Sequence, residues 1–136
     1  MEKTHRFINM AQFAAITPHA NNVVHFVLSG NPDISVFEAE FLRPLDALLA
    51  NKNRFSLVID AQGVSGVAMP VAWVMIKWMR ANREQLKLHL RASGVVLMND
   101  AVKSIMAFVL SVQTPAAPMR IFNTVAEAWT FVGSYE

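Results

Sequence analysis

Asp60 closes the run Phe55-Ser56-Leu57-Val58-Ile59-Asp60, a short apolar stretch with polar bounds that reads as a buried central strand. A carboxylate at the carboxyl end of such a strand stands where open α/β sheets place ligands. The ordinary role of such a carboxylate is to accept hydrogen bonds from the free amides of the loop that follows, and the two roles can coexist. Gln62 and Ser65 share that loop and are taken with Asp60 as candidate contact residues. Gly63-Val64-Ser65-Gly66 has the glycines of a phosphate cradle, but a phosphate loop needs Lys-Ser/Thr next and a helix start right behind. Val67-Ala68-Met69 stands there instead, so nucleotide binding is not expected.

Other chemistry is harder to find. His5, His19, His25 and His89 are scattered, with no His-x-x-x-His pair and no acidic residue at ligand spacing on a shared helix face. They are read as solvent or edge-strand residues, and no metal site is expected. No Gly-x-Ser-x-Gly pentapeptide supplies a nucleophile elbow. With 0 Cys, disulfides and thiolate zinc sites are excluded. The expectation is a non-enzymatic protein that needs no cofactor.

The composition fits one domain. A chain of 136 residues, 54% of them apolar, has ample material for a single core. Charged residues make up only 16%, against roughly 25% in an average soluble domain. So little charge leaves apolar surface outside, which usually marks an interface or a ligand groove. A net charge of +2 does not suggest nucleic acid. The N-terminal Met-Glu-Lys-Thr-His-Arg-Phe lacks the apolar core of a signal peptide. The richest apolar run, Val64 to Ile76, is interrupted by Gly66 and Pro70, so no membrane span is expected and the location is read as cytoplasmic.

Periodicity then supplies the elements. Residues 12–17 and 22–28 read as paired strands with Asn21-Asn22 in their turn. Asn31 is expected to cap a helix with Pro32 in its first position. In the helix over 33–51, Ile34, Phe37, Phe41, Leu45 and Leu48 form one stripe, and Pro44 is expected to kink or divide it. A loop over 61–69 leads to a helix over 70–86, with Val71, Val74, Met75, Trp78, Met79 and Leu86 inward. Gly94 to Met98 is a second buried strand, and residues 100–113 form a helix with Ala101, Ile105, Phe108 and Val112 inward. Met119 to Phe122 is a last strand, and Thr124 and Glu127 are spaced as a capping box for a final helix. The order β-β-α-β-α-β-α-β-α predicts an α/β domain with a mainly parallel sheet, an antiparallel edge hairpin and four to five covering helices.

The same helical wheels turn other side chains outward. On helix 70–86 these are Trp73 and Ile76, beside Lys77 and Arg80, and on helix 100–113 they are Met106 and Leu110. Trp and Arg dominate interface hot spots, so these faces are a candidate contact patch for a protein partner or a second copy of the chain.

From Phe55 to Val132 the chain resembles the STAS/SpoIIAA-like family, the fold of anti-sigma-factor antagonists and of the cytosolic tail of sulfate transporters. The resemblance is carried by Leu57-Val58-Ile59-Asp60, the loop with Gly63-Val64, the strand Val95-Val96-Leu97-Met98, a helix from Asp100, and Ile121-Phe122-Asn123-Thr124-Val125-Ala126-Glu127-Ala128. One departure matters. Family members that act as phosphorylation switches carry Asp-Ser-(Ser/Thr)-Gly where this chain has Ala68-Met69-Pro70-Val71, and Ser65 lies three residues early. The divergent branch without the switch, which resembles Sec14-type lipid carriers, is the nearer analogue. The resemblance implies a regulatory binding module. The alternative is a carrier or sensor of an apolar small molecule or lipid, held between helices 70–86 and 100–113 and the sheet. The 8 Met residues motivate it, because Met fills adaptable apolar surfaces.

Overall fold

The turn at Asn21-Asn22 starts the architecture. A computed structural model describes residues 13–135, and both asparagines adopt left-handed backbone there, with φ of 64° and 57°. Asn tolerates this region better than other side chains, and such turns match the twist of paired strands. They join β1 (Ala14–His19) to β2 (Val23–Gly30) in an antiparallel hairpin whose register runs from His19 opposite Val23 to Ala14 opposite Leu28. The Arg91 guanidinium fastens the turn, donating to the carbonyls of Asn21 and Asn22 and to Ser56 Oγ. The opening Met-Glu-Lys stretch and His5 lie outside the described residues.

The remaining strands, β3 (Phe55–Val64), β4 (Leu90–Val96) and β5 (Met119–Phe122), add in parallel to give the order β1-β2-β3-β4-β5. This is the single α/β domain that the alternation of elements predicted. Each parallel crossover steps in the same direction, and crossovers are right-handed. The connecting helices must therefore share one face of the sheet.

Those helices depart from the sequence reading in three places. Asp33, and not Asn31, caps the first helix, its Oδ1 accepting from Val36 N at 2.9 Å. Pro44 does not divide the chain: α1 (Ile34–Phe37), a π turn (Glu38–Leu42) and α2 (Arg43–Asn51) run on continuously. Proline has no N–H for the carbonyl four residues back and its ring crowds it, and the wider π turn just ahead accommodates both defects. The helix expected over 70–86 is two helices, α3 (Met69–Ala81) and α4 (Arg83–His89). Asn82 separates them, its side-chain amide donating to Trp78 O at 2.9 Å in competition with the helical ladder. The helix from Asp100 forms as expected, as α5 (Asp100–Val112).

Among the described residues, only the helix α6 (Val125–Gly133) crosses to the other face. Its capping box is present, with Glu127 N donating to Thr124 Oγ1 at 3.2 Å and Thr124 N donating to Glu127 Oε1 at 3.2 Å. Gly94 lets it lie close, since a Cβ there would meet Ala128 Cβ at 2.9 Å. The larger core, including Phe26, Leu57, Ile59 and Val95, lies under α1–α3 and α5, while Val23, Val58, Ala92 and Val96 pack beneath α6.

Candidate functional site

Helix α3 carries the surface feature that stands out. Met69, Trp73, Lys77 and Arg80 follow one another down a single exposed edge, at spacings of four, four and three. Trp73 is 43% exposed, and its ring meets Phe108 of α5 edge-on with centroids 5.6 Å apart. Arg80 reaches across to α5 as well, its Nε donating to Gln113 Oε1 at 3.2 Å, and Arg83 Nη1 donates to Thr114 O at 3.0 Å. An indole is thus held half in water, braced from below by a second ring and rimmed by cations. Such a surface suits an apolar or aromatic anchor with acidic neighbours.

Three residues read as outward belong elsewhere. Ile76 is 0% exposed, at the centre of the α3 face that packs on the sheet. Met106 and Leu110 are half-buried against the main core. The cause is the same in both helices. On α3 the buried set is Val71, Ala72, Ile76 and Met79, with Trp78 at the margin, where its indole Nε1 donates to Asp46 Oδ1 at 2.8 Å. On α5 the inward set is Val102, Ile105, Met106 and Val109, while Ala101 and Val112 are exposed and Phe108 faces Trp73. Both helices are apolar over most of their circumference, so more than one stripe satisfies the helical period.

The candidate loop is shorter than 61–69, because β3 continues to Val64 and leaves 65–68 as the connection. Gly63 is therefore a strand residue, and its missing Cβ matters for space: one placed there would meet Leu28 O at 3.0 Å. Ser65 is exposed, and its amide donates to Gly30 O at 3.0 Å. Asp60 Oδ1 accepts from Gln62 N at 3.1 Å and from Gln62 Nε2 at 3.0 Å, so its carboxylate caps the local backbone. Val27 and Val96 flank Asp60 in the sheet, on the face that α6 partly covers. Asp60 and Gln62 therefore lie across the sheet from Trp73, and the two halves of the expected site do not meet. The strand order never reverses either, so no switch-point crevice opens beside Asp60.

A cluster not anticipated from the sequence forms on that second face. Trp129 of α6 packs edge-on against His19 and His25, with centroids 4.9 and 5.9 Å apart, and the two imidazoles are 5.9 Å from each other. The signal was present in the hairpin register: a turn at Asn21-Asn22 sets Thr17 opposite His25, which puts His19 on the same face. His25 Nε2 is buried and finds no hydrogen-bond partner among the described residues. Burial lowers the His25 pKa below its usual value, the neighbouring His19 lowers it further, and Asp60 opposes them. No group of three His, Cys, Asp or Glu among the described residues is arranged to hold a metal ion.

Beneath α3 and α5 lies a partly open cavity of about 110 Å³ whose lining, among the described residues, is apolar. Ile59, Ala72, Met75, Val95, Val109 and Met106 represent the elements that line it.

No protein-family model matches the sequence, and no curated protein does. Solved structures do. A protein of the DUF3478 family from Shewanella loihica PV-4, described as having a SpoIIAA-like fold, aligns with a TM-score of 0.62 at 12% identity, over 87% of this chain and 90% of that one. An anti-sigma factor antagonist from Mycobacterium paratuberculosis aligns with a TM-score of 0.61 at 21% identity, over 88% of this chain and 92% of its own. The chain has the SpoIIAA-like fold that its motifs resembled. No helix among the described residues is long and apolar enough to cross a membrane.

Proposed function

We propose that residues 1–136 form one non-enzymatic regulatory module of the cytoplasm, which binds a protein partner or a second copy of itself through the Met69–Trp73–Lys77–Arg80 edge and the adjoining loop 65–68. The observation that carries this reading is Trp73, a large side chain left 43% exposed between Met69 and the cations Lys77 and Arg80 on one edge. The fold supports it, because a structure so similar in shape belongs to an anti-sigma factor antagonist. A lipid carrier gains no such support from the similar structures.

The contact works without a phosphorylation switch. Where the family's switch proteins carry hydroxyls, α3 begins with Met69 and Pro70 and has Ala68 at its cap. Ser65, four residues before Met69, is held by its backbone to Gly30.

Size-exclusion chromatography with light scattering, run on wild type and Trp73→Glu beside thermal melts, tests the reading. The variant should stay folded with a nearly unchanged melting temperature. It should also lose the dimer, or the complex with a partner recovered by cross-linking and reconstituted from purified components. A Trp73→Glu protein that assembles as wild type does would sink the proposal.

A further inference from the structure

Native interiors seldom hold voids larger than a water molecule. The space under α3 and α5 is well beyond that, at about 110 Å³. Among the described residues no polar side chain contributes to its wall, so a water inside would find none of the two to four partners it needs there. The wall is not a flaw at one badly packed contact. It is shared by β2, β3, β4 and β5, by the α1 end, and by α3 and α5, with Val67 of the 65–68 loop at its edge. Two small residues, Ala61 and Ala72, are buried where larger ones would fill the space. Three methionines, Met75, Met106 and Met119, are only half-buried and form the adaptable side of the wall.

We propose that this cavity is a binding site for an uncharged, apolar small molecule of about six heavy atoms. The size follows from comparison with an engineered apolar cavity of ~150 Å³, which stays dry and takes up benzene or xenon. A long acyl chain does not fit, and an ionised ligand would meet no partner for its charge. The site lies on the inner side of α3 and α5, and Trp73 and Phe108 close the outer side of the same helix pair. A ligand here and a partner there would therefore press on the same two helices. The proposal stands apart from the partner reading and survives its failure.

The test uses benzene as the probe, with decanoate as a long-chain control, on the full chain. Benzene should raise the melting temperature by about 3–5 °C at ten times its Kd. In a ¹³C-methyl methionine spectrum it should shift Met75, Met106 and Met119 while leaving Met69 and Met98 in place. Ala72→Leu, which adds three carbons to the cavity, should melt higher than wild type and lose the benzene response. If benzene produces neither effect, or shifts the wrong methyls, the proposal is overturned. Decanoate acting where benzene does not would also overturn it, in favour of a long-chain occupant. Should Ala72→Leu fail to fold, the methyl spectrum of wild type decides alone.

Discussion

The two faces of the sheet are built differently. On one, Phe26, Leu57, Ile59 and Val95 meet several helices at once, and large side chains from each interlock around a cavity. On the other, one helix of 9 residues covers Val23, Val58, Ala92 and Val96. That face is thin and depends on small residues, with Gly94 against Ala128 as its closest approach. It also carries two partly buried titratable side chains, His25 and Asp60. A thick layer of large side chains can tolerate a void, because many walls share the loss. A thin one has no slack, so its stability should respond to single atoms and to pH.

The largest effect expected is on the thick face. Ile76→Asp places a carboxylate at a position that is 0% exposed and should unfold the domain, since an unpaired buried charge costs several kcal/mol. A soluble, cooperatively melting Ile76→Asp protein would show that α3 is turned from the orientation described. On the thin face, Gly94→Val forces its side chain into Ala128 and should cost about 1–3 kcal/mol, the range for overpacking. The loss should appear as early hydrogen exchange in α6 with α3 still protected. Exchange rising equally in both helices would make the two faces one cooperative unit.

Acid should separate the faces further. The lowered pKa of His25 means that the folded protein resists taking up this proton more than the unfolded chain does. Its contribution to stability is therefore complete above the unfolded value of about 6.5 and is lost as pH falls through the lower folded value. Chemical denaturation at pH 7 and pH 5 should show the drop, and His25→Leu should flatten it. An unchanged pH dependence in His25→Leu would assign the effect to other groups. Asp60→Ala should have the smallest effect, about 0.5–1.5 kcal/mol, from losing its bonds to Gln62. If that variant melts as wild type but loses partner binding, Asp60 joins the contact surface despite lying across the sheet from Trp73.

Much of this architecture could be read directly. The Asn21-Asn22 turn, the strand from Phe55, the start of α5 at Asp100 and the Thr124–Glu127 capping box are local patterns, and each lies where it was expected, although that strand runs on past Asp60 to Val64. The exposure of Trp73 was also legible, because on either choice of stripe it points away from the sheet. The orientation of α5 was not. Val102, Ile105, Met106 and Val109 make a sound helical stripe, and so do Ala101, Ile105, Phe108 and Val112. Periodicity alone cannot choose between them in a helix this apolar.

What the sequence determined by itself was therefore whatever depends on neighbours along the chain: turns, caps, strand identity, and the alternation that makes the sheet parallel. Which side of an apolar helix faces inward was decided only when the elements packed together. So was the cavity, whose walls come from residues as far apart as Phe13 and Met119. The separation of Asp60 from Trp73 was settled in the same way, by the uniform direction of the crossovers, which sent every connecting helix to one face and left α6 alone on the other. Local sequence encodes short-range hydrogen bonding, whereas burial depends on volumes and directions that exist only once the sheet has formed.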